Sequence, residues 1–218
     1  MGARRWLLTT VCALVIAGSA AAETIVYTDE ARFLSQVLPG SYTETFTSLA
    51  DGSYRSPLDF SGNGFAYTVR SLGDFLVMDE PPIKWLSGGI LAGDVIRIEF
   101  TSGNVTAIGG DFFTLDSGRN LAIPSFVQID LSDGTRITVN DPTPDTFRGF
   151  ISSTPIASIL LTPDPKFFAT ISRLTVGAAV PEPPSLVLFS IAGLAGVGYS
   201  RTTRFRFTVR PGSRGGGM

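Results

Sequence analysis

Apolar and polar residues alternate in short runs along most of this chain, which is the period of strands that turn one face to a core and the other to water. The runs fall at Tyr42–Phe46, Phe65–Val69, Phe75–Met78 and Ile96–Phe100, where Ile96, Ile98 and Phe100 oppose Arg97 and Glu99. Val127, Ile129 and Leu131 alternate with Gln128 and Asp130, and Asp133-Gly134 then turns the chain into Ile137 and Val139. That is the clearest hairpin in the sequence, and a two-residue turn of this kind calls for positive φ at both central positions. Phe147–Ile151, Ile156–Leu161 and Phe168–Val176 complete about nine strands. One segment departs from the pattern. Thr28 can cap a helix, Asp29 and Glu30 suit its positive start, and Phe33, Leu34 and Val37 form one apolar face up to the stop at Pro39-Gly40. With Gly and Pro frequent between strands and little helix to cover a parallel sheet, the expected fold is all-β. It is an antiparallel β-sandwich or jelly roll with one short N-terminal helix.

Both chain ends break the alternation. Arg4 and Arg5 precede an apolar stretch from Trp6 to Ala17 and the small residues Ser19-Ala20-Ala21-Ala22, the layout of a signal peptide over residues 1–22. Cys12 lies inside that segment after Thr9-Thr10-Val11, so it is not read as a lipidation site. At the other end, Val180-Pro181-Glu182-Pro183 is followed by an apolar run from Leu186 to Tyr199 and by arginines at 201, 204, 206, 210 and 214. The apolar run spans roughly 21 Å as a helix against a bilayer core of about 30 Å, and the uncharged stretch 183–200 reaches roughly 27 Å. It makes a short single membrane helix over 185–200, with Arg201, Arg204 and Arg206 holding its end on the cytoplasmic side. Residues 23–179 are then the exported domain and 180–206 a sorting signal, with an arginine-rich tail over 201–214.

An export signal, a globular domain, the motif Pro181-Glu182-Pro183, a short apolar helix and an arginine tail, in that order, resemble a PEP-CTERM protein. The resemblance implies a Gram-negative bacterium that makes exopolysaccharide, export by the secretion machinery through the inner membrane, transient anchoring, and removal of the tail by an exosortase-type membrane protease. The exported domain resembles a body that recurs in such proteins. The stretches that carry this are Thr43–Phe46, Gly52–Leu58, Ala107–Phe113, Leu131–Thr135, Phe150–Ile156 and Ile171–Gly177. The likeness implies a jelly roll without an assigned biochemical role, some relatives being compared with carbohydrate-binding modules. Many of them carry Asp-Asn or Asp-Asp where this chain has Ser172-Arg173.

Composition narrows the chemistry. From Glu23 to Val180 there are 18 acidic and 10 basic side chains, a net charge near −8, which does not suit nucleic acid. The chain has no histidine and its single cysteine is in the signal segment, so Ser-His-Asp, Cys-His and His- or Cys-based zinc systems are excluded from the exported domain. No catalytic, cofactor or metal residue is assigned. Carboxylate-dependent glycoside hydrolysis would need a pair drawn from Asp79, Glu80, Asp111 and Asp116. Structural calcium would draw on Asp111, Asp141 and Asp145, although no EF-hand loop is present. Asn104-Val105-Thr106 matches the glycosylation pattern, which has little meaning in most bacteria. Trp85 sits in what reads as a loop from Asp79 to Gly89, where it is either a core residue or, with Asp79 and Glu80, a platform for a sugar. Burial is the expected outcome. The functional expectation is a secreted surface or exopolysaccharide-matrix protein with a structural or adhesive role and no enzymatic activity. A sugar-binding module and a glycosidase are the alternatives.

Overall fold

The computed structural model describes residues 23–80, 83–89 and 91–181. The signal segment 1–22, Glu182 and Pro183, the apolar run expected to be helical over 185–200 and the arginines beyond it lie outside the described residues. Among the described residues, no helix is long and apolar enough to cross a membrane.

The described chain is all-β and antiparallel apart from one short helix. In order it forms β1 (Thr24–Tyr27), α1 (Glu30–Leu34), β2 (Tyr42–Glu44), β3 (Gly52–Tyr54), β4 (Leu58–Gly62), β5 (Phe65–Arg70) and β6 (Phe75–Glu80). There follow β7 (Ile83–Ser87), β8 (Ile96–Phe100), β9 (Ala107–Leu115), β10 (Phe126–Leu131), β11 (Arg136–Asn140), β12 (Phe147–Ser152), β13 (Ser158–Pro163) and β14 (Phe168–Gly177). An eight-stranded sheet runs β1-β12-β9-β14-β7-β6-β3, with β2 added beside β14, and a six-stranded sheet runs β11-β10-β13-β8-β5-β4. One apolar cluster joins them. Ile108, Phe112, Phe150, Leu86 and Ile171 of the larger sheet share it with Tyr67, Ile98, Ile129, Ile159 and Leu161 of the smaller. Two sheets that bury their alternate residues against each other are the arrangement of a β-sandwich.

The smaller sheet obeys the alternation read from the sequence. Ile96, Ile98 and Phe100 are buried while Arg97 is exposed, and Arg70 pairs with Glu99 across its solvent face at 2.9 Å. The larger sheet does not, because its outer face is also covered. All nine residues of β9 are buried, so the central strand of the domain carries no alternation to recognise. On β14 the parity itself changes: Ile171 pairs with Phe112, but Arg173 pairs with Asp111, leaving Ser172 as an extra residue. This bulge lets Ile171, Leu174 and Val176 all face the core although Ile171 and Leu174 are three apart.

Several expectations need correction. The helix is capped by Asp29, whose Oδ1 accepts the Arg32 N–H at 2.8 Å, and it ends at Leu34. Phe33 is buried but Leu34 is exposed, because a helix this short buries only one side chain well. The strand expected to reach Phe46 stops at Glu44, where the chain kinks through Phe46 at φ 58°. The strand expected over 156–161 lies over Ser158–Pro163. The segment around Trp85 is a strand, not a loop.

At Asp133-Gly134 the connection is a three-residue loop. The Gly134 N–H donates to the Leu131 carbonyl at 3.1 Å and the Leu131 N–H to the Thr135 carbonyl at 2.9 Å. Only Gly134 has positive φ, at 93°, and Asp133 instead accepts the Thr135 N–H at 2.8 Å. A β-branched residue at a left-handed position is strained by about 1–3 kcal/mol. Gly134→Val is therefore expected to lower the melting temperature of the two-sheet domain, and an unchanged unfolding curve would contradict this turn geometry.

Candidate functional site

The outer face of the larger sheet is divided in two. Over β12 and β9 it is closed by α1, whose Phe33 ring lies flat against glycines: a Cβ at Gly149 or Gly109 would sit 2.6 or 2.7 Å from that ring. Beside Phe33, Arg173 bridges the helix to the sheet. Its guanidinium lies 2.7 Å from Glu30 and 3.0 Å from Asp111. Burial raises the Asp111 carboxyl above its usual range even though Arg173 works against the shift.

Arg173→Met removes the guanidinium from both carboxylates. It is expected to cost about 1–3 kcal/mol at neutral pH, less than a fully buried pair because the site is part-exposed. Asp111 then titrates still higher in the folded protein, so the added cost is full above that further raised value and disappears below the already raised value that Asp111 has beside Arg173. Thermal unfolding should show the gap between variant and wild type narrowing as pH falls from 7 towards 4. A gap that widened on acidification would contradict this arrangement.

Over β6, β7 and the end of β9 the face is open and forms a trough. A cavity of about 400 Å³ is lined by Leu76, Met78, Leu115 and Phe168, with Asp74, Asp116 and Arg119 among its polar groups. A second, of about 550 Å³, is lined by Met78 and Trp85 with Asp51, Asp79 and Arg119. Leu76, Met78 and Arg119 line both, so the two adjoin.

Trp85 belongs to the trough floor. It stands opposite Met78 on β7, its ring centroid lies 5.3 Å from that of Phe113, and only 7% of the residue is exposed. Its Nε1–H is buried without a partner. The indole is thus held as core, in agreement with the expected burial. Lys84 Nζ lies 3.4 Å from Asp79 and donates to the Leu49 carbonyl at 2.8 Å, while Glu80 ends β6. Asp116 accepts the Asn120 N–H at 2.8 Å, which holds its carboxyl below the usual range, and the same turn puts Arg119 at φ 67° over the trough.

Of the carboxylates considered in the sequence, Asp79 and Asp116 reach this trough, whereas Asp111 lies beside α1 against Arg173. Asp141 is used locally, its Oδ1 accepting the Ser125 N–H at 3.0 Å. Among the described residues no group of three or more Asp, Glu, His or Cys side chains converges where it could hold a metal ion. Sequence reasoning missed Asp51, Asp74 and Arg119, which are brought together by turns and edge strands too short to carry a period.

The folded chain also defines its own exit. After β14, Val37 and Ala179 form an antiparallel bridge, the Leu38 N–H donates to the Ala178 carbonyl at 2.8 Å, and the Val180 N–H donates to the Gln36 carbonyl at 2.8 Å. Thr106 adds a side-chain clamp, its Oγ1 accepting the Ala179 N–H at 2.8 Å. Pro181 follows directly. No protein-family model matches the chain, and no curated protein matches it.

Proposed function

We propose that this protein is an exported surface or exopolysaccharide-matrix component with a structural or adhesive role and no enzymatic activity. It is handled at the membrane through residues 180–206 and released by an exosortase-type protease that acts at Pro181-Glu182-Pro183. The two-sheet domain is read as a jelly roll on the strength of its resemblance to the body that recurs in PEP-CTERM proteins. The observation that best supports the sorting role is the position of the motif. Among the described residues backbone pairing continues to Val180, the residue immediately before the motif begins at Pro181. The intact mass of the protein isolated from its native cell surface tests this: it should lack both residues 1–22 and the apolar and arginine segments after the motif. A mass that includes the arginine tail would overturn the release step.

A second reading, a sugar-binding module, has the trough in its favour. An apolar floor with acidic and basic groups around it suits a hydroxylated ligand. If it binds a glycan, Arg119→Ala should abolish retention on a glycan array while leaving the unfolding free energy within about 0.5 kcal/mol of wild type, as for an exposed side chain. Retention unaffected by that change would remove the trough from consideration.

A further inference from the structure

The two ends of the exported domain leave the fold at the same end of the larger sheet. Register shows this directly: Ile25 pairs with Ile151, Ile151 with Ala107, and Ala107 with Gly177. Glu23, next to this row, exchanges hydrogen bonds with Ser153, and Val180 lies three residues past its other end. The two ends of the row are three strand spacings apart, about 14 Å.

Apolar side chains stand out of the protein around this end. Leu38 and Val180 occupy the same side of the ribbon that bridges Val37 to Ala179, the side opposite the buried Val37, and they are 39% and 43% exposed. Leu34, at the last position of α1, is 42% exposed, and Ile25 and Val26 are exposed on the edge strand β1. Nothing in the described domain covers them. The pinning of Ala178–Val180 to Gln36–Leu38 also removes any slack before the tail.

We propose that this end of the domain, with Leu38 and Val180 at its centre, is a bilayer-contact surface. This rests on the reading of residues 186–199 as a membrane segment. Five residues, 181–185, separate Val180 from that run, at most about 18 Å of extended chain, so the domain is held within contact distance of the lipid. The signal segment, attached before Glu23, leaves from the same end, so the uncut precursor presents this end to the membrane from both sides. Burial of the apolar rim at the headgroup boundary is favourable in proportion to its area. Glu23 and Asp133, the latter bonded to Thr24, stand at this end and disfavour an anionic surface, so the lipid it fits is zwitterionic.

The test uses the full chain in a Cys12→Ser background, reconstituted into phosphatidylcholine vesicles. An environment-sensitive fluorophore is placed on Leu38→Cys or on Leu72→Cys. Leu72 is 87% exposed and lies at the opposite end of the domain, beside the start of β6, which aligns with Ser87 and the start of β14. The Leu38 probe should show blue-shifted emission and lose most of its intensity to doxyl-labelled lipid, while the Leu72 probe stays water-like. Inserting about twelve Gly and Ser residues between Val180 and Pro181, roughly 20 Å of slack, should reduce that quenching without releasing the chain from the vesicles. Chains that float with vesicles while both probes remain equally water-like would overturn the contact surface and leave the membrane segment standing. Chains that do not float at all would overturn both.

Discussion

Trp85→Ala is expected to destabilise the two-sheet domain by about 3–5 kcal/mol, a large part of the stability of a domain this size. The indole is packed between Phe113, Leu115 and Met78 on the outer face of the larger sheet, away from the cluster that joins the two sheets. Little there could collapse into the space it leaves, because Phe113 and Leu115 are fixed on β9 by pairing with Thr170 and Phe168 of β14. The cavity term therefore adds to the lost transfer energy instead of being relaxed away. Equilibrium denaturation should show the midpoint fall with an unchanged slope. Tryptophan emission of a chain beginning at Glu23 gives the companion result, since Trp85 is the one tryptophan after residue 22. Its spectrum should be blue-shifted and resist acrylamide. Emission like that of indole in water, with stability unmoved by the substitution, would return Trp85 to the role of an exposed sugar platform.

Glu182→Ala is expected to leave the protein uncut and membrane-bound. On the proposed membrane reading, the arginines at 201, 204 and 206 would stay on the cytoplasmic side and a helical run of roughly 21 Å would use the whole thickness of a thinned bilayer, which would bring the motif to the outer boundary. Proline disfavours a regular helix, so the same reading expects Pro181-Glu182-Pro183 to offer an extended segment to a protease. Glu182 is the only acid between Asp164 and the C-terminus, which makes it the one charged handle on the segment. Fractionation of cells that express the variant should move the protein from the surface fraction to the membrane, at the mass of the signal-cleaved precursor. Normal release of Glu182→Ala would assign recognition to other residues.

Much of the fold could be read from the pattern, and the failures have physical causes. Five strands of the six-stranded sheet were legible, all but the edge strand Leu58–Gly62, because water solvates its outer face and enforces the alternation of Ile96, Ile98 and Phe100 with Arg97 and Glu99. Strand β9 was not, because Phe33 and Trp85 cover the outer face on which Gly109 and Phe113 lie, and a strand buried on both faces has no period. The three-residue spacing of Ile171 and Leu174 is a visible trace of the bulge at Ser172, but alone it could equally mark the end of a strand. Short edge strands such as Gly52–Tyr54 offer too few residues for any pattern. The trough was half-legible. Asp79 and Trp85 were singled out for their chemistry, whereas Arg119 was not, since its place over the floor depends on a turn built by Asp116 and Asn120.

The most direct measurement is a peptide ratio from the native host, with and without its exosortase-type enzyme. Mature surface protein should yield peptides from residues 120–136 and almost none from 201–210, and deletion of the enzyme should restore the second set to the abundance of the first. Equal abundance of both sets whether or not the enzyme is present would contradict processing and leave a single-pass anchored protein instead.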